Sequence, residues 1–127
     1  MGSEKDIGPE SVRNLQIWQE GIAFVKQVYL LSKEWPKEEA FGLTSQVRQA
    51  AVSIPANIAE GRGRGSPGEQ ARFAQIALGS AYELDTLQYI SVELNYGTSE
   101  QIQPLKDRLT KLTKQIARFI TYQDGQK

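Results

Sequence analysis

The feature that most constrains the fold is a spacing. Between Ile102 and Phe119 the apolar residues Ile102, Leu105, Leu109, Leu112, Ile116 and Phe119 recur every three or four positions. That spacing puts them on one side of a helix and leaves the intervening polar residues on the other. A strand would scatter the same residues over both faces, so the C-terminal quarter reads as an amphipathic helix. Three further segments repeat the pattern, and no stretch alternates with period two.

From Val12 to Lys33 there are two such stripes. Leu15, Trp18, Ile22, Val25 and Tyr29 form one, taken as the face toward the bundle core. Ile17, Gly21, Phe24, Val28 and Leu31 form another, turned by roughly 120° at 100° per residue. One stripe is enough for a core, so the second implies a further buried face, against another subunit or another helix layer, and Ile17, Phe24, Val28 and Leu31 are assigned to contact between copies. Pro36 and Gly42 close this helix and make a short crossing. A second helix starts near Leu43, with a core stripe of Leu43, Val47, Ala50, Ile54 and Ile58. Pro55 lies inside it and predicts a kink near Ala51, or a break, because proline has no N–H to donate and collides with the carbonyl four residues back.

The segment Gly61-Arg62-Gly63-Arg64-Gly65 reads as a flexible connection that ends this helix. Ser66-Pro67-Gly68-Glu69 then carries a strong start signal: a capping serine, proline at the first helical position and glutamate three residues after the cap. In the third helix Phe73, Ile76, Ala77, Ser80, Leu84, Leu87 and Leu94 share a face, while Leu78, Tyr82 and Tyr89 form a second, also assigned to the interface between copies. Asn95-Tyr96-Gly97 stops it, with Gly97 expected in the left-handed conformation. Thr98 or Ser99 caps the fourth helix, and Pro104 falls in its first turns. Long helices joined by short connections pack antiparallel. The expected fold is therefore all-α, an up-down-up-down four-helix bundle over residues 12–122, with flexible tails at 1–11 and 123–127.

Composition narrows the chemistry. There is no cysteine and no histidine in 127 residues. This removes thiol nucleophiles, disulfides, the usual zinc ligands and the general base that titrates near neutrality. The reading is a non-enzymatic protein with no cofactor and no metal. Basic and acidic residues balance at 15 each, so nucleic-acid binding would require a local cluster. No apolar run is long enough to span a bilayer and the N-terminus is polar, so a soluble, cytoplasmic protein is expected.

Three local features could carry function. Gln46, Ser53, Asn57 and Glu60 lie on one polar stripe of the second helix, facing Ser80 and Glu83 of the third, and are read as a hydrogen-bonded seam between helices. Arg62 and Arg64 in the glycine-rich connection, with Arg48 and Arg72, form a candidate phosphate-contacting zone, since guanidinium groups pair with phosphate bidentately. Lys111, Lys114 and Arg118 share the outer face of the fourth helix, an arrangement that solvation alone often explains.

The stretch FGLTSQVRQAAVSIPANIAEGRGR, followed by RFAQIALGSAYEL, resembles the bacterial four-helix-bundle family of 23S rRNA intervening-sequence proteins. LQIWQ and ELNYG extend the resemblance outward. Trp18, Phe41, Gly42, Leu43, Gln46, Arg48, Ser53, Asn57, Glu60, Gly61, Arg64, Gly79, Ser80 and Glu83 match the family pattern; Gln49 departs from it, standing where members often carry a second arginine. The resemblance implies an antiparallel bundle, a ring-shaped homopentamer, a bacterial cytosolic setting and contact with RNA or a ribonucleoprotein. Two alternatives accompany it: a protein-interaction scaffold that binds no nucleic acid, and an accessory protein of a diversity-generating reverse transcriptase.

Overall fold

The computed structural model describes residues 8–126. Five helices make up these residues, with no strand among them: α1 (Glu10–Arg13), α2 (Gln16–Ser32), α3 (Leu43–Arg64), α4 (Pro67–Glu93) and α5 (Ser99–Asp124). A 3-10 turn, Lys37–Glu39, lies between α2 and α3. α3 packs most extensively on α4, α4 on α5, α3 on α2, and α2 closes against α5, while the short α1 rests on α2 and α3.

Packing is revealed by specific contacts. Tyr29 of α2 lies beneath Arg48 of α3, and Gly21 of α2 lies against Pro55. Ser53 of α3 meets Ser80 of α4, and Gly61 meets Phe73. Lys106 of α5 covers the Tyr89 ring of α4, while Ile120 shares a groove with Ala71. In each pair the contacts run in opposite chain order. The core between them holds Phe24, Ile54, Leu84, Leu112 and Ile116, all essentially inaccessible to solvent.

The two stripes of α2 exchange roles relative to the expectation. Ile17, Phe24 and Val28, expected between copies, are buried in the chain's own core, and Leu31 packs partly against it. Ile22 and Tyr29, expected inside, are 44% and 43% exposed. Gly21 explains the exchange. On the Ile17–Phe24–Val28 stripe it lets α3 approach so closely that a Cβ there would sit 3.3 Å from the Pro55 Cβ. The stripe with the glycine therefore turns inward, and the bulkier aromatic stripe is left at the margin. In α4, Leu78 is likewise buried within the chain, whereas Ile76 and Leu94 are exposed.

Helix ends follow local chemistry. Ser66 Oγ accepts the Glu69 N–H at 3.1 Å with Pro67 at the first helical position, as read from the sequence, but the Glu69 carboxylate turns to Arg72 instead of closing a capping box. The complete capping box occurs at Thr98 and Gln101, where each side chain bonds the other's backbone N–H. At the end of α4 Asn95 takes the left-handed conformation, at φ 62°, and Gly97 too has a positive φ, of 145°. The Asn95 N–H bonds the Val92 carbonyl and the next N–H, of Tyr96, reaches back to Ser91, the paired arrangement of a Schellman motif.

Three boundaries differ from the expectation. α3 runs unbroken through Pro55 and continues to Arg64, so the glycine-arginine segment is helical and only Gly65, at φ 88°, and Ser66 connect it to α4. Gly61 is the reason: buried against Phe73, it lets α3 and α4 stay in contact through the last turn. Of the expected N-terminal tail, residues 1–7 lie outside the described residues; Glu10–Arg13 form α1, with Ser11 buried. At the other end α5 extends through Asp124 with Gln123 buried.

Candidate functional site

The expected polar seam is half realised. Ser53 Oγ and Ser80 Oγ lie 2.7 Å apart across the α3–α4 contact, and the Asn57 amide donates to the Ser53 carbonyl and hydroxyl at 2.8 and 2.9 Å. These three partly buried side chains satisfy one another and tie the two helices in register. Gln46, Glu60 and Glu83 do not join them. All three are exposed, and Glu60 pairs along its own helix with Arg64 at 3.1 Å.

Of the four arginines, three come together and one does not. Arg62, Arg64 and Arg72 gather at the α3–α4 corner, where Arg64 and Arg72 stack on the Phe73 ring at 5.0 and 4.5 Å. Arg48 lies 14 residues before Arg62 on a continuous helix, about 21 Å along its axis at 1.5 Å per residue. There its Nε donates to Ser32 Oγ at 2.9 Å and its guanidinium covers Tyr29, which clamps α3 to α2. The single positive zone anticipated from the sequence is thus divided, because the two ends of one helix cannot meet.

At the corner itself much of the cationic charge is already engaged. Arg72 Nε lies 2.7 Å from a Glu69 oxygen, and Arg64 pairs with Glu60. The Arg72 hydrogen bond holds the Glu69 carboxyl below its ordinary range, and Glu69 in turn raises Arg72. Arg62 donates to Gln70 Oε1 at 3.3 Å, while the Gln70 amide holds the Gly65 carbonyl at 3.3 Å. Three guanidinium groups therefore face two carboxylates, and their contacts fasten the corner.

A second corner was missed in the sequence. Tyr96 Oη donates to Glu39 Oε2 at 2.6 Å, and the other carboxylate oxygen accepts the Leu43 N–H at 3.1 Å. Trp35 leans on the Tyr96 ring, with centroids 6.1 Å apart. One carboxylate thus caps the start of α3 and binds the α4–α5 turn, 57 residues away. Tyr96 and the Leu43 N–H hold the Glu39 carboxyl below its ordinary range, and the Glu39 hydrogen bond raises the Tyr96 phenol. ELNYG stands in the sequence as a helix stop and an edge of the family resemblance; no local pattern links it to Glu39.

Among the residues expected between copies, Tyr82 and Tyr89 remain on the surface, 63% and 56% exposed. Further exposed apolar residues lie where α2 meets α3. Between the Gly21–Pro55 and Tyr29–Arg48 contacts, α2 presents Ile22 and the half-buried Val25, and α3 presents Val52, 42% exposed, with Ala56 just beyond Pro55.

Comparison with known proteins bears on the family and the fold. The profile of the 23S rRNA-intervening sequence protein matches residues 13–118. The chain belongs to that family. A crystal structure of a protein of unknown function from the S23 ribosomal protein family of Bacteroides thetaiotaomicron superposes with a TM-score of 0.73. It covers 82% of this chain and 97% of that one at 21% identity, and so shares the fold. No curated protein matches the chain. Among the described residues, no helix is long and apolar enough to cross a membrane.

Proposed function

We propose that this family member is a non-enzymatic scaffold of the bacterial cytoplasm, an antiparallel up-down-up-down four-helix bundle that assembles with copies of itself. The observation that carries this reading is the α2–α3 surface, where Ile22, Tyr29 and Val52 are each more than two-fifths exposed along the stretch marked by the Gly21–Pro55 and Tyr29–Arg48 contacts. Exposed apolar surface of this kind marks a place of association, and a second copy of the chain is the occupant that the family resemblance implies, five copies closing a ring. The contact uses the margin of α2, not the buried Phe24 stripe. Light scattering of the purified protein, compared with the I22K/V52K variant, tests it: the variant is expected to remain helical and lose the assembly.

For the cargo of such an assembly, the α3–α4 corner favours a protein. RNA contact there has little net charge to draw on, because Glu60 and Glu69 sit on Arg64 and Arg72. A scaffold that holds a protein, including an accessory subunit beside a reverse transcriptase, needs no such charge at this corner. Substituting Arg62 and Arg64 by alanine is expected to leave RNA affinity unchanged at this corner while loosening the end of α3.

A further inference from the structure

The cationic charge that the α3–α4 corner neutralises is left open on another helix. From Arg108 to Gln123, α5 carries Arg108, Lys111, Lys114 and Arg118 and not one aspartate or glutamate, in a chain whose overall charge is zero. Arg108 is turned inward to Gln27 of α2, with Nη1 donating at 3.1 Å. The other three project into solvent, and none forms an ion pair among the described residues. Their spacing of three and four residues sets them on one side of the helix over roughly 10 Å of its length. Tyr122, one turn beyond Arg118, is 63% exposed.

We propose that this outer face of α5 binds single-stranded nucleic acid, RNA in a cytoplasmic setting, by its phosphate backbone and a stacked base. The inference goes beyond the scaffold reading and does not depend on assembly. Asp107, one turn before Lys111, accepts from Gln103 Nε2 at 2.8 Å and forms no ion pair with the row; three cations in a row complement a phosphodiester chain, and an exposed aromatic ring at the end of the row supplies a platform for a base. An anionic membrane is a poorer fit, because most of the apolar side of α5 is consumed by the core: Ile102, Leu105, Leu109, Leu112 and Ile116 are all buried, and Phe119 and Ile120 are half-buried. An acidic protein segment would use the cations without needing the tyrosine, and this difference makes the two partners separable.

The test is fluorescence anisotropy of a labelled uridine homopolymer of about 20 nucleotides, with polyglutamate of similar length as competitor. For single strands the logarithm of affinity falls with slope near 0.7 per phosphate contact, so three contacts predict a loss of roughly 20-fold between about 50 and about 200 mM salt. K111A/K114A/R118A should abolish binding and leave the thermal midpoint and assembly mass unchanged, because all three side chains are exposed. Y122A should weaken RNA binding about fivefold or more while leaving polyglutamate binding unaltered. Absence of binding at low salt, equal affinity in the triple variant, or competition by polyglutamate together with an inert Y122A would each overturn the proposal. The R62A/R64A variant, expected to bind as the wild type does, separates this face from the α3–α4 corner.

Discussion

Gly61 faces Phe73 across the α3–α4 contact so closely that a Cβ on the glycine would lie 2.8 Å from the Cβ of the phenylalanine. The Gln70 Cα and the Glu69 carbonyl oxygen would stand at 3.2 and 3.3 Å, so the obstruction includes backbone that cannot rotate away. Gly61→Ala is therefore expected to destabilise the protein by about 1–2 kcal/mol, overpacking outweighing the gain in helix propensity. Gly79, inside α4 with nothing within 4 Å of a Cβ, makes the contrast. Gly79→Ala should stabilise by about 0.5–1 kcal/mol. Urea denaturation of both variants checks the pair, and a Gly61→Ala protein as stable as the wild type would show that the helices can separate there.

Phe24 is expected to behave as a core residue. Its side chain is wholly buried, so Phe24→Ala should cost about 3–5 kcal/mol through lost transfer energy and the cavity left behind. The loss arises inside one chain and should be equal at low and high protein concentration. A penalty that appears only at high concentration would return Phe24 to an interface between copies.

Much of this architecture is legible in the sequence, and what is not has identifiable causes. The four long helices, the Ser66 cap and the Ser53–Asn57–Ser80 seam follow from spacing and local chemistry. Which stripe of α2 faces inward does not, since both have the same period and comparable apolar content; the choice turns on Gly21 meeting Pro55, a contact 34 residues apart in the chain. The GRGRG run was misread for a similar reason. Glycine and arginine suggest a loop by composition, whereas Gly61 is required by close packing and the helix is held by its neighbour. The Glu39–Tyr96 link joins positions that no periodicity relates.

That link predicts a pH dependence. The folded Glu39 carboxyl is depressed, so its contribution is present above the ordinary carboxylate range and fades as pH falls through the lower folded value. The Tyr96 phenol is raised, so its contribution is present below the ordinary phenol range and fades as pH rises through the higher folded value. Tyr96→Phe removes the phenol's own contribution and the Tyr96 part of the Glu39 effect, leaving the bond from the Leu43 N–H in place. The difference in thermal midpoint between wild type and Tyr96→Phe should be greatest near neutrality and shrink toward either extreme; a difference constant from acid to alkali would mean that the carboxylate makes no use of the phenol.

Ser66→Ala should destabilise the protein by about 1 kcal/mol, the usual consequence of losing an N-cap bond. Assembly should be unaffected. Urea denaturation with light scattering on the same samples checks both halves of the expectation, and a change in assembled mass would show that the α3–α4 connection takes part in contact between copies.

Self-association through the α2–α3 surface is tested most directly by multi-angle light scattering at micromolar concentration. The wild type is expected to elute at five times the 14.2 kDa of the single chain. I22K/V52K, which places a charge at the centre of the apolar surface, should elute as one helical chain. A wild-type mass of one chain, or an I22K/V52K protein that stays assembled at wild-type mass, would contradict the account.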